Sequence, residues 1–189
     1  MSSGGGGGLL RAILDALIEA LRRGLQSRSD PAGKRTTAGP RTGSSGAGTE
    51  ASPGQTGDGA TRDLGAAEIR RLRPSYAPAV DGTPDPGEVI WTWVPYAEHD
   101  GRGKDRPVLI IARIDATTVA GCYLSTKQHR GFISVGTGGW DGQGRESFLS
   151  PERVLRISDS GMRREGHVLD RARFERVVAE LSRELGIGR

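Results

Sequence analysis

The chain is nearly devoid of cysteine. Cys122 is the one such residue among 189, so an intrachain disulfide or a cysteine-based zinc cluster is excluded. It lies in an apolar run and reads as a buried, inert thiol. Histidine is also scarce: three residues (His99, His129 and His167) with no metal-ligand spacing. Aromatic residues are missing from the first 75 positions, and all nine lie from Tyr76 onward. That stretch therefore has little with which to build a core. No apolar run is long enough to span a bilayer, and no secretory signal pattern is present, which fits a reducing cytoplasm. Charge of one sign is not in large excess either. The net charge is +4, most of it before residue 85, so a nucleic-acid site in the C-terminal part needs local clustering of cations.

What is present divides the chain in three. Residues 1–8 are a Gly/Ser leader, and 9–25 set Leu10, Ile13, Leu14, Leu17, Ile18 and Leu21 at helical spacing, with Gly24 as the stop. An isolated amphipathic helix of that length is marginal in water, so its apolar face suits a partner helix, self-association or a membrane surface. Residues 26–66 contain no Ile, Val, Phe, Trp or Tyr and read as disordered. Ala67–Leu72 can form a helical turn, and Pro74, Pro78, Pro84 and Pro86 favour an extended approach. The expected division is a tail with one helix over 1–25, a disordered linker over 26–85 and a folded domain over 86–189.

In that domain, runs rich in β-branched and aromatic residues predict strands at 89–94, 107–113, 117–124, 132–135, 147–149 and 153–157. A Gly-rich turn fills 136–144. Short strands at this spacing predict a small barrel or strongly bent sheet. Residues 170–185 predict a helix capped by Asp170 and ended by Gly186, with Phe174, Val177, Val178, Leu181 and Leu185 as its apolar stripe.

The first two strands make a hairpin, and Arg106-Pro107 opens its second arm. Proline drives Arg106 into extended backbone, at a loop–strand junction where its guanidinium can grip two phosphate oxygens. A surface ion pair with Asp105 or Asp100 is the other reading. The run Ser125-Thr126-Lys127-Gln128-His129-Arg130 leaves the third strand and is rich in hydrogen-bond donors, as a polyanion site requires. His99 and His129 can act as acid or base near neutrality. Trp140 suits either a base-stacking platform or a core plug. The Gly-rich turn lacks the order of a Walker phosphate loop.

GEVIWTWVP, a loop, RPVLIIAR and a strand ending Leu-Ser-Thr-Lys together resemble the PemK/MazF toxins of type II toxin–antitoxin systems. GRGKDRPVLII and GTGGWD…GR…RVLRI resemble an actinobacterial branch of that family. The likeness covers about residues 86–186. It implies a mainly β fold with a C-terminal helix, an SH3-like barrel, usually as a homodimer. It also implies a sequence-specific, metal-independent, cofactor-free endoribonuclease of single-stranded RNA, blocked by an antitoxin. In that chemistry the 2′-OH attacks the adjacent phosphate, leaving a 2′,3′-cyclic phosphate and a 5′-OH. On this likeness Arg106 and Ser125 are catalytic. Lys104, Thr126, Lys127, Arg130 and Trp140 contact RNA, and His99, Asp100, Asp105 and His129 are candidate bases. Family members place an arginine and an aspartate near the fifth strand, where Ser150 and Glu152 stand here with Arg153 adjacent. A non-catalytic SH3-like module that binds nucleic acid or protein, including a gyrase poison acting at DNA, is the alternative.

Overall fold

The structure is a computed structural model that describes residues 51–79 and 81–187. The helix expected over 9–25 and the linker over 26–50 lie outside the described residues. Along the chain come β1 (Arg62–Asp63), α1 (Ala66–Arg71), β2 (Glu88–Pro95), β3 (Gly103–Asp115) and β4 (Thr118–Ser125). Then follow β5 (Ile133–Gly136), β6 (Ser147–Leu149), β7 (Leu155–Ser158), a single 3₁₀ turn, β8 (Arg163–Val168) and α2 (Arg171–Leu185).

All strand pairs are antiparallel, in the order β1-β7-β4-β3-β2-β8, with β6 joined to both β4 and β5. Strand β4 bends the sheet. Its first half pairs with β7, whereas Leu124 and Ser125 at its end pair with Leu149 and Phe148 of β6. The central strands are apolar on both faces because both faces are covered. Leu109, Ile111, Cys122 and Leu124 share one cluster with Phe174, Val177 and Leu181 of α2. Ile90, Val108, Ile110, Val119, Leu155 and Ile157 form a second cluster, packed by Tyr123 and Met162. Helix α2 has the predicted ends. The Asp170 carboxylate accepts a hydrogen bond from the Arg173 amide at 3.0 Å, and Gly186 closes the helix at φ 65°.

Three expectations are corrected. The hairpin's second strand begins at Gly103, not at Pro107, because Gly103, Lys104 and Asp105 pair with Pro95, Val94 and Trp93. Arg106 thus sits inside a strand, opposite Thr92, and the loop shrinks to 96–102. Strand β8, RREGHV, is missing from the predicted set because it carries no apolar alternation. It is an exposed, charged edge, the composition that discourages further pairing. It is tied to β2 by a two-pronged ion pair, with Arg164 donating to the buried Glu88 at 2.9 and 2.8 Å.

The third correction concerns the linker. Residues 51–79 contain β1 and α1, and bury Leu64 and Leu72 in the larger apolar cluster. A segment poor in apolar residues cannot fold alone, but two leucines suffice when a core already exists to receive them. Burial of each is worth roughly 1.5–3 kcal/mol. Polar contacts add to this. Thr92 donates to the Gly161 carbonyl at 2.7 Å and accepts from Thr61 at 2.7 Å, and the Trp93 amide donates to Pro53. Gly54, at φ 80°, comes so close that a Cβ there would lie 2.4 Å from the Thr92 hydroxyl. Arg153 donates to both oxygens of Asp63 at 2.8 and 2.9 Å and to the Pro95 carbonyl at 2.7 Å, riveting β1 to the end of β2.

Leu72→Ala should destabilise the protein by about 2–4 kcal/mol in urea titrations; an unchanged midpoint would show that the segment is a free linker. Burial pushes the Cys122 thiol up to about 12. It should therefore stay unreactive toward a disulfide reagent at pH 8 until the protein is unfolded.

Candidate functional site

The site follows from register. Val108 of β3 faces Tyr123 of β4 in the last pair of that ladder, beyond which Ser125 pairs with Phe148 of β6. Strand alternation then puts Arg106, Val108, Tyr123 and Ser125 on one face. The Arg106 guanidinium lies over the Tyr123 ring, 4.9 Å from its centroid. It carries no ion pair among the described residues. Both acids that could have claimed it are engaged elsewhere: Asp105 holds Arg163 at 2.7 Å, and Asp100 holds Arg102 at 2.7 Å. The reason is geometric, since neighbours on a strand point to opposite faces, and Asp100 belongs to the hairpin loop.

Arg106 opens onto a cleft of about 450 Å³. Lys104, Ser125, Thr126, Lys127, His129 and Trp140, all anticipated from sequence, line it too. The Ser125 hydroxyl oxygen accepts from the Lys127 amide at 3.0 Å, which leaves its proton free for a ligand. Lys104 and Lys127 form no ion pair among the described residues and are exposed. The cleft therefore presents three uncompensated cations and a hydroxyl donor, a set suited to a phosphodiester.

Trp140 takes the core-plug alternative. It is only 5% exposed, donates from Nε1 to the Ser147 hydroxyl at 3.0 Å, and presses on Gly138, where a Cβ would lie 2.1 Å from the ring. Its neighbour Asp141 is clasped by Arg145, whose side-chain and backbone hydrogen bonds hold the carboxyl down at about 2. Asp141 thus remains an anion at neutral pH and is unsuited to proton transfer.

His99 and Asp100 are not among the residues lining the cleft, nor is Arg130, which is exposed. His99 occupies the left-handed backbone region at φ 51°, and its Nε2 lies 3.2 Å from Asp63. Of the histidine candidates, His129 alone lines the cleft, its ring 4.9 Å from Phe132. Ser150 is fully buried, and its neighbour Arg153 is held by Asp63, so the fifth-strand positions serve the fold. Among the described residues, no three His, Cys, Asp or Glu side chains gather as metal ligands, and no helix is long and apolar enough to cross a membrane.

Sequence reading missed Tyr123, Phe132, Trp91 and Arg145 in the lining. Tyr123 was within reach, two residues before Ser125 and hence on its face. Trp91 and Arg145 arrive through pairing and a turn, which no local pattern reveals.

A sequence model described as the PemK-like, MazF-like toxin of type II toxin–antitoxin systems matches residues 85–185. A search of curated proteins returned no match. Among solved structures, the chain is similar to MazF (Form-I) from Deinococcus radiodurans, with 17% identity and a TM-score of 0.43 over 55% of this chain and 97% of that one. It is also similar to the MazE–MazF structure (Form-II) from Deinococcus radiodurans, with 16% identity and a TM-score of 0.37 over 55% of this chain and 92% of that one. The family model spans more than half the chain and every residue of the cleft, and on that match this chain belongs to the PemK-like, MazF-like toxins of type II toxin–antitoxin systems.

Proposed function

We propose that this toxin is an endoribonuclease that cuts single-stranded RNA by attack of a ribose 2′-OH on its own 3′-phosphate. The observation that carries the reading is Arg106, free of any carboxylate partner among the described residues and lining a cationic cleft together with Ser125. Charge builds on the non-bridging oxygens in the transition state. A guanidinium fixed by a strand and by the Tyr123 ring meets that charge without reorganising. Lys104 and Lys127 neutralise the flanking phosphates. Ser125 donates a hydrogen bond to the phosphate or to the leaving 5′-oxygen.

The 2′-OH proton needs an acceptor. Arginine cannot serve, since its pKa exceeds about 12. His129 is placed to take the proton and return it to the 5′-oxygen, giving a 2′,3′-cyclic phosphate and a 5′-OH. His99 can reach the reaction only if its loop leaves Asp63. The reading includes an acidic antitoxin that covers the cleft, a second copy of the chain as partner, action in the cytoplasm, and no metal.

With a defined RNA in buffer containing EDTA, the wild type should cleave and Arg106→Ala should lose about 10²–10³-fold in kcat/KM. Ser125→Ala, lacking one neutral hydrogen bond, should lose about 2–10-fold. His129→Ala should lose about 10²–10⁴-fold. A wild type that cuts no RNA, or an Arg106→Ala variant that cuts equally well, would sink the reading. Salt-dependent RNA binding without cleavage would transfer support to the non-catalytic module.

A further inference from the structure

The family model begins at residue 85, so residues 51–79 are an addition to the part of the chain that it describes. Within them, residues 53–63 run across the outer strands of the sheet. Trp91 is the last residue of β2 that pairs with β8, and beyond it the Trp93 amide donates to the Pro53 carbonyl at 2.9 Å. Further along, the Ser158 hydroxyl at the end of β7 donates to the Gly59 carbonyl at 3.2 Å, and Arg62 and Asp63 pair with Arg156 and Leu155. A strap so placed joins the edge of β2 to the edge of β7. It also brings Asp63 to the β2–β3 loop, residues 96–102. Arg153, held by both Asp63 oxygens, donates to the Pro95 carbonyl where the loop begins, and His99 Nε2 lies 3.2 Å from Asp63 Oδ2 at the loop's tip.

The loop itself is internally braced. The Tyr96 amide donates to the Arg102 carbonyl at 2.9 Å across its neck, and the Asp100 carboxylate accepts from the amide and the side chain of Arg102. The His99 amide donates to the Tyr96 carbonyl at 3.1 Å, and His99 stands at φ 51°, the sole non-glycine residue at positive φ among the described residues. Strained backbone of this kind gathers at clamps and switches, where the surrounding contacts maintain it. The charged groups around His99 are Glu98, Asp100 and Arg102 of its own loop, Asp63 of β1 and, behind Asp63, Arg153. Among the described residues, Asp63 is the one that forms an ion pair with the ring. None of residues 96–102 lines the cleft, whereas Lys104, two residues past the loop, does.

We propose that Asp63 is a positioning residue for the β2–β3 loop: through the charge on His99 it latches the loop clear of the cleft, and loss of that charge frees the loop to close over a bound strand. Histidine changes charge between about pH 5 and 8. The imidazolium is drawn to the carboxylate and the neutral ring is not, so the latch holds at acid pH and opens as pH rises. His99 is 59% exposed, so the pair shifts the loop's equilibrium by no more than about 5-fold, enough to bias it and too little to lock it. The latch stands apart from the ribonuclease reading; the identity of the strand that a freed loop covers, a single-stranded RNA on Lys104 and Arg106, rests on that reading.

A nitroxide label on Ala97→Cys in the full chain reports the loop directly, since Cys122 is buried and does not compete for it. In electron paramagnetic resonance spectra, the ratio of restrained to mobile label should be about 2- to 5-fold higher at pH 5.5 than at pH 8. His99→Asn, which suits positive φ but takes no charge, should abolish the pH response, as should Asp63→Asn. A label equally restrained at both pH values overturns the proposal, and so does a pH response that survives His99→Asn. The second readout is dissociation of a 2′-O-methyl hexanucleotide, which cannot undergo 2′-OH attack. At pH 5.5 it should leave the wild type about 2- to 5-fold faster than His99→Asn, and at pH 8 equally fast; equal rates at pH 5.5 overturn the loop's role at the cleft. A protein that shows the spectral response but cuts no RNA would support the latch while sinking the ribonuclease reading, so the two fail separately.

Discussion

The pairing of β3 on both of its edges is the constraint on which the rest depends. Val108 to Ala112 are wholly buried, with side chains in both apolar clusters. A strand fixed in this way cannot slip by one residue without exchanging the side chains that fill its two apolar clusters. The same register sets Thr92 opposite Arg106, and alternation from the Val108–Tyr123 pair turns Ser125 to the face of Arg106. Asp105, its neighbour in the same strand, is taken by Arg163 and leaves Arg106 without an ion pair among the described residues. The uncompensated charge in the cleft is thus a by-product of core packing several residues further along the strand.

The segment before β2 works on the same frame from outside. Thr61, Asp63, Leu64 and Leu72 add little mass, but each answers a need of the sheet: a partner for Thr92, a counter-ion for Arg153, and apolar cover for the cluster beneath α2. Arg153 is the telling case. It is spent on Asp63 and the Pro95 carbonyl. The cations left for a ligand are Arg106, Lys104 and Lys127, gathered from the hairpin and the end of β4. A global charge of +4 says nothing of this grouping.

Legibility varied with how local the cause was. Helix α2 could be read from its stripe, its aspartate cap and its terminal glycine because all three act within a few residues. Strand β8 could not, since an edge strand with polar residues on both faces has no period to detect. Arg106, Ser125, Lys127 and His129 could be named from sequence because a donor-rich strand end next to an Arg-Pro strand is a linear signal. Tyr123, Phe132, Trp91 and Arg145 acquire their place only when three strands and a turn converge on one cleft.

By itself the sequence determined the strand-rich class, the C-terminal helix, the inert cysteine and the residue types able to hold a phosphodiester, because these follow from composition and short-range periodicity. Tertiary structure decided that Arg106, among the described residues, is left without a carboxylate partner. Asp63 claims Arg153, Asp105 claims Arg163, Asp141 claims Arg145 and Glu88 claims Arg164, whereas Arg106 receives an aromatic ring. Most of those pairings join residues far apart in the chain, so they exist only after the sheet has closed the distance.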